Sequence, residues 1–409
     1  MRICVIRQHY VPQDTRVLRE VTALTAAGYE VDLICARKPG EPARERSGRL
    51  TIRRLAVPGG DRGRPVRYVI RYLWFFVHAA ALVSALHPRR RYRLVQVNTL
   101  PDALVFAALV PRLFGARVLL DLHECMPEFF ASKFHTSMRH PAVRLIAGLE
   151  QRCISFADLV ITPTAQLRDT FVARGADPAK IGVVMDGADE SMFHPTASVH
   201  PDADRFTLIS HGTIEERYGL DTAIRAVALL RTEIPRLRLK IHGDGSDSDR
   251  LRALAAALGV ADRVDFSGGF TPVDDLVRAI ATADVGIVAM KRDPFRDLTL
   301  ASKMFDFISM RVPMAVSRTR SVEETFDAGC FELFDSDDAA DLAAAIRRLY
   351  ADADRRARLA AHAATVADPY RWTHQRVHYL QTVDRLLRRG NRPVPFAETS
   401  DVASHSAGT

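Results

Sequence analysis

Short apolar runs alternate along the chain with segments whose apolar positions recur every three or four residues. The first run covers residues 3–6. A polar loop over 8–14 follows, then a helical pattern over 15–27 that stops at Gly28, then a second run over 31–35. Strand, helix and strand in this order call for a parallel crossover, so the pattern predicts a doubly wound α/β sheet. Further strands are predicted over 51–55, 94–97, 117–120, 159–162 and 181–184, with helices over 67–86, 102–114, 141–156 and 165–174. The rhythm lapses over 189–204, which carries Pro195 and Pro201. It then restarts, with strands over 206–210, 237–241, 264–266, 285–288 and 314–316. Helices are predicted over 220–231, from Gly245 to 258, and over 338–350, 354–364 and 379–387.

Two such series predict two doubly wound Rossmann-like domains facing a central cleft. The expected boundaries are an N-terminal domain over 1–190, a linker over 191–204, and a C-terminal domain over 205–370. A terminal helix over 371–389 is expected to pack back on the first domain, and 390–409 reads as a disordered polar tail. The composition is that of a globular chain, 47% hydrophobic and 26% charged. Cys4, Cys35, Cys125, Cys153 and Cys330 are scattered and form no CxxC, which indicates neither a zinc site nor a disulfide framework. A reduced, cytosolic setting follows.

Charge adds a second theme. From Arg37 to Arg93 fifteen Lys/Arg stand against three acids, a net +12, whereas the whole chain carries +8. Within that window lies the most apolar stretch, with Tyr72, Trp74, Phe75 and Phe76. Arg62, Arg64, Arg67 and Arg71 precede or enter it, and Arg89, Arg90, Arg91 and Arg93 follow. Nucleic acid or an anionic membrane surface would explain such a patch. No recognised nucleic-acid motif or aromatic stacking platform accompanies it, so the expected partner is an anionic membrane. A core helix of the first domain accounts for part of the same surface.

Candidate chemistry concentrates at residues 297–313. A buried strand precedes this stretch and another follows, so a crossover helix is expected between them. Ser302 is its expected N-cap, with Leu300 as an alternative start. A helix that begins after a strand's C-terminal end offers free N–H groups to an anion, and Lys303 would add a full charge. Asp306, one turn on, could accept from a ribose diol. The same residues also suit a surface Lys–Asp pair on an ordinary crossover helix.

Other segments set this stretch in a wider pattern. Ser210-His-Gly212-Thr-Ile-Glu-Glu-Arg217-Tyr-Gly219 forms a strand, turn and helix start. Ile241-His-Gly243-Asp-Gly245, Asp262-Arg-Val-Asp-Phe-Ser-Gly268 and Leu300-Ala-Ser-Lys303-Met-Phe-Asp306 follow in order. Together these resemble the donor domain of the family 4 glycosyltransferases, which have the GT-B fold. In the first half, Asp14-Thr-Arg16-Val-Leu-Arg19-Glu20 and Asp121-Leu-His123-Glu124-Cys-Met-Pro127-Glu128 are similar to that family's acceptor-side motifs. The resemblance runs from about Ile3 to Leu387. Four departures stand out. Asp306 holds the place of a glutamate, Leu298 falls where the other glutamate of the pair is usual, with Asp297 beside it, Arg311 replaces a glycine, and Arg217 comes one residue early for the usual lysine.

The resemblance implies a retaining glycosyltransferase that is metal-independent and needs no cofactor. It would move a sugar from a UDP- or GDP-sugar to a glycan, lipid-linked or small-molecule acceptor. Arg217 and Lys303 would meet the charge on the leaving diphosphate, and His123 would face the donor sugar. Gly212, Gly243, Asp297, Leu300, Ser302 and Asp306 would complete the nucleotide-sugar site, and His9, Arg16 and Glu124 are acceptor-side candidates. The expected location is cytoplasmic and peripheral on the inner face of the membrane. An epimerase or hydrolase of nucleotide sugars is the alternative on the same scaffold. A Rossmann dehydrogenase is disfavoured, because Gly243-Asp-Gly245 lacks the third glycine of the dinucleotide fingerprint.

Overall fold

The computed structural model describes residues 1–11, 14–58, 65–195 and 204–388, without the side chains of 65–68. Arg62, Arg64, the Arg67 side chain, most of the 191–204 linker and the 390–409 tail therefore lie outside the described residues. The chain divides into two compact units, Met1–Val184 with the chain from Arg376, and Met185–Gln375. The second unit begins ahead of residue 190, where the hydrophobic pattern lapses. Met185, Ala188 and Phe193 already pack into its core, and the Met185 N–H donates to Gln375 Oε1 (2.7 Å).

The first unit is built from β1 (Arg2–Arg7), α1 (Thr15–Ala26), β2 (Glu30–Arg37), β3 (Arg44–Ser47), β4 (Leu50–Ala56), α2 (Pro65–Arg90), β5 (Leu94–Asn98), α3 (Leu109–Leu113), β6 (Arg117–Asp121), α4 (Met126–Lys133), α5 (Pro141–Phe156), β7 (Leu159–Thr162), α6 (Ala165–Ala173) and β8 (Ile181–Val183). Its sheet runs β3-β4-β2-β1-β5-β6-β7-β8, parallel except for the β3–β4 hairpin. The Asp14 carboxylate caps α1 by accepting from the Val17 N–H (3.2 Å). The helix expected over 102–114 is instead a 3₁₀ segment, Asp102–Ala108, followed by the short α3. Pro111 lacks an N–H and is tolerated only in a first turn, so a continuous helix through it is disfavoured.

The second unit contains β9 (Phe206–His211), α7 (Leu220–Leu230), β10 (Leu237–His242), α8 (Ser248–Ala257), β11 (Val264–Phe266), α9 (Val273–Ala281), β12 (Val285–Val288), α10 (Ser302–Ser309), β13 (Met314–Ser317), α11 (Arg320–Thr325), β14 (Glu332–Phe334), α12 (Ala339–Ala351) and α13 (Ala353–Val366). Its sheet is fully parallel, in the order β11-β10-β9-β12-β13-β14. The last helix, α14 (Trp372–Arg388), leads out of this unit and into the first, where the buried Tyr379 hydroxyl donates to Gln96 Oε1 (2.6 Å).

Strand order reverses direction at β1/β5 in one sheet and at β9/β12 in the other. Loops leaving the carboxyl ends of two such strands diverge to opposite faces and leave a crevice, the usual ligand site of an open α/β sheet. In the second unit β9 and β12 pair only through Leu208/Val285 and Ile209/Gly286. The ladder ends there although both strands continue.

Candidate active site

Three segments at the β9/β12 switch point bring positive charge together. Arg217 and Tyr218 lie in a 3₁₀ turn after β9, Arg296 in a 3₁₀ turn after β12, and Lys303 in the first turn of α10. All three cations gather on one aromatic ring. Lys303 Nζ is 5.1 Å from the Tyr218 centroid, and the guanidinium carbons of Arg296 and Arg217 are 4.9 and 5.6 Å from it. The Lys303 Nζ also lies against Gly212, 3.9 Å from where a Cβ there would sit.

Electrostatics make this group unusual. Lys303 and Arg296 are both over nine-tenths buried. Lys303 makes no hydrogen bond or ion pair among the described residues, and Arg296 Nε has no partner. Burial, reinforced by the Arg296 charge, pushes the Lys303 ammonium down to about 8. Asp306 opposes this only in part. Arg217 is ion-paired to Glu215 (2.5 Å). Two buried cations held together without a carboxylate partner form a site that an anion would complete. The Ser302 and Lys303 N–H groups at the start of α10 add to it, whereas the Met304 N–H already donates to the Ala301 carbonyl (2.9 Å).

The remaining expected donor-site residues separate into those near this group and those engaged elsewhere. Asp306 lies one turn into α10, with Oδ2 3.5 Å from His211 Nε2. Burial, with Lys303 and His242 adding to it, pushes His211 down to about 3, so the imidazole is neutral and this contact is not a charge pair. Gly212 and Gly243 form the floor. Gly243 has φ +143°, and a Cβ there would stand 1.9 Å from the Gly212 carbonyl oxygen. Leu300 is half-buried on the core beside α10. Ser302 is exposed and is the first helical residue. The cap position belongs to Ala301, which makes no side-chain cap bond, so the expected Ser302 cap is corrected. Asp297 accepts two bonds from Arg292 Nε (2.9 and 3.0 Å) and one from the Arg320 N–H (3.1 Å), and the structure does not bring it to the cation group.

A second constellation sits at the ends of β5 and β6 in the first unit. The fully buried Asp121 accepts from Arg16 through both oxygens (2.9 Å each), from Asn98 Nδ2 (2.8 Å) and from His123 Nε2 (2.9 Å). Burial alone would push the Asp121 carboxyl up. Arg16, then His123, outweigh it and hold it well below the usual carboxylate range. The His123 backbone N–H donates to Thr99 Oγ1 (3.2 Å), which fixes the residue just past the strand end. Glu20 accepts from Gln96 and Asn98, and burial together with Asp121 pushes its carboxyl up.

Arg16, an acceptor-side candidate, is thus a buried bracket that also donates to the Val184 carbonyl (3.0 Å). Glu124 is half-buried, and its charge helps raise the buried Asp102 carboxyl, behind burial itself and Glu150. His9 is exposed after β1, with Nδ1 3.2 Å from the Tyr10 carbonyl oxygen. Sequence reasoning missed Arg296, Tyr218, His211 and Asp121. Arg296 carried one usable signal, its place in the loop between a buried strand and the helix holding Lys303.

Among the described residues one group could converge on a metal ion, Asp327, Cys330 and His362. His362 Nε2 lies 2.8 Å from both Asp327 oxygens, and burial with Asp327 pushes the Cys330 thiol up to about 12. In that state the histidine and carboxylate satisfy each other and the thiol stays protonated.

Two parallel-sheet domains with such crevices define the GT-B class. The solved structures agree. Sucrose-phosphate synthase from Thermosynechococcus elongatus superposes with a TM-score of 0.76 over 94% of this chain and 99% of its own, at 20% identity. Anabaena HepE in complex with UDP-glucose gives 0.70 over 94% and 99%, at 15% identity. Residues 13–187 match the glycosyl transferase 4-like domain, and residues 196–366 match glycosyl transferases group 1. The D-inositol 3-phosphate glycosyltransferase of Thermomonospora curvata is 27% identical over 388 residues, 89% of this chain and 86% of that protein. The chain belongs to the family 4 glycosyltransferases.

Proposed function

We propose that the protein transfers a glycosyl group from a nucleoside diphosphate sugar, UDP or GDP, to a glycan, lipid-linked or small-molecule acceptor hydroxyl. The observation that carries the donor half is the pair of buried cations, Lys303 and Arg296, on the Tyr218 ring without a carboxylate partner. In the transfer the bond from the anomeric carbon to the phosphate oxygen breaks, and its electron pair leaves with the diphosphate. The acceptor oxygen bonds to that carbon, and its proton passes to the departing phosphate oxygen. Lys303, Arg296 and the α10 N-terminus oppose the negative charge that grows on the leaving group. This reading needs no metal, because protein cations do that work, and no other cofactor. Asp306 is assigned to the ribose diol and His123 to the sugar side. A retaining outcome is expected from the family resemblance.

Support for a uridine donor comes from similar folds solved with UDP and UDP-glucose. An acceptor bearing a phosphorylated polyol is one chemistry among the relatives, as the name of the inositol phosphate enzymes states. The test is a thermal-stabilisation screen of UDP-, GDP- and ADP-sugars, followed by incubation of the best donor with lipid and glycan extracts. Acceptor-dependent product supports transfer. Turnover of the nucleotide sugar with no acceptor would favour the hydrolase or epimerase alternative.

A further inference from the structure

Helix α2 breaks the rule for a surface helix. Phe75, Ala79 and Val83 lie on one side and are fully buried, and the helix packs on the Asp102–Ala108 segment, β1 and β4. The opposite side should be polar. Instead it carries Val69, Ile70, Leu73 and Val77, each more than half exposed. These positions follow helical spacing and form one outward stripe. Helix α3 packs against α2 and adds Leu113 and Phe114, 74% and 75% exposed. An apolar surface of this kind marks an interaction site.

Charge identifies the occupant. Between Asp61 and Asp102 the chain has eight arginines and no acid. Near the C-terminal end of α2 a pocket of about 400 Å³ is lined by His87, Arg91, Arg93 and Phe114, among others. Arg89, Arg91 and Arg93 are exposed and make no ion pair among the described residues. A second copy of the chain would bring the same basic face against itself. A surface that is apolar within and phosphate-rich at its edge satisfies both features. Helix α2 is long and apolar enough to cross a membrane by length and composition. Its Phe75–Ala79–Val83 side is committed to the domain core, however, which leaves only the other side for lipid.

The geometry points to an anionic lipid bilayer as the partner of this face, with α2 lying in the interface rather than across it. The outward stripe sinks to the acyl boundary, and the arginines at the end of α2 meet head-group phosphates. The attachment is peripheral, on the cytoplasmic leaflet, and it does not depend on which donor or acceptor the enzyme uses.

The test uses the full chain and vesicles of phosphatidylcholine with or without phosphatidylglycerol. Trp74 sits on α2, so its emission in a Trp372→Phe background reports insertion. The expected result is co-sedimentation with the phosphatidylglycerol vesicles that weakens with salt, and a blue shift of Trp74. The double variant Arg91→Gln/Arg93→Gln should bind more weakly, by about fivefold per arginine. Leu73→Glu/Val77→Glu should lose the blue shift while circular dichroism and UDP affinity stay unchanged. Equal binding to both vesicle types, or folded variants that bind like the wild type, would overturn the proposal. So would a dimer in light scattering that Leu73→Glu/Val77→Glu dissociates, because a second copy would then cover the stripe.

Discussion

His123 Nε2 stands 2.9 Å from Asp121 Oδ2, and Asp121 is held ionised by Arg16. An ionised carboxylate only accepts, so Nε2 must be the donor. The ring is thereby fixed in one orientation at the end of β6. Replacing it with His123→Ala should lower kcat/KM at least roughly tenfold, the worth of about 1.5 kcal/mol. UDP affinity, measured by calorimetry, should stay unchanged. Unaltered turnover would remove His123 from the site.

Lys303→Ala and Arg296→Ala should each weaken UDP binding by roughly tenfold or more, since each removes a charged donor worth ~1.5–3 kcal/mol. Arg217→Ala should cost less, because Arg217 already pairs with Glu215. Thermal stability without ligand should hold or rise in Lys303→Ala, which relieves a buried like-charge contact. Calorimetry and melting curves read both.

Affinity for UDP should also depend on pH. The free Lys303 ammonium titrates at about 8, and a bound diphosphate favours its charged form. Below pH 8 the proton is already present. Above it, binding must take up a proton, so affinity falls as pH rises from 8 to the usual lysine range. Lys303→Arg should flatten that slope, which titrations in buffers of different ionisation enthalpy would detect.

Asp306→Asn should reduce nucleoside affinity while leaving the fold intact. A carboxylate accepts from both ribose hydroxyls, and an amide offers one acceptor oxygen. The neutral His211 beside it cannot replace the lost acceptor by charge. Comparing UDP with its 2′-deoxy analogue isolates the effect, and the variant should discriminate between them less.

Arg16→Ala should act on stability instead. It strips a buried, doubly bonded partner from Asp121, and loss of one member of such a pair costs about 3–5 kcal/mol. Urea unfolding of the first unit's transition measures it. A cost near zero would contradict the bracket role.

Most strands were legible because parallel strands buried on both faces read as apolar runs, although the three-residue β14 (Glu332–Phe334) was not, and α5 was legible from Pro141 to its end. Strand β3 was not, since Arg44–Ser47 is exposed throughout and is held by backbone pairing to β4. Helices α4 and α9 were missed although Pro127 and Pro272 mark their starts. In the cation group on Tyr218, Lys303 and Arg217 were singled out through motif order. Arg296 was not, because what distinguishes it is burial beside Tyr218, a tertiary fact. Asp297 misled for the converse reason, its neighbour Arg292 claiming it in space.

The bond from Tyr379 to Gln96 has a bearing on how the protein is made. Gln96 is fully buried on β5, and its carbonyl oxygen is met by a residue that follows the whole second unit in the chain. Tyr29 and Asp384 join across a similar distance in sequence. On the ribosome, strands β1 to β8 emerge long before α14, so the first unit waits with the Gln96 Oε1 atom unmatched while the second unit completes. The N-terminal half is therefore the last to mature, and a nascent chain stopped at residue 375 would carry a complete second unit behind an unfinished partner.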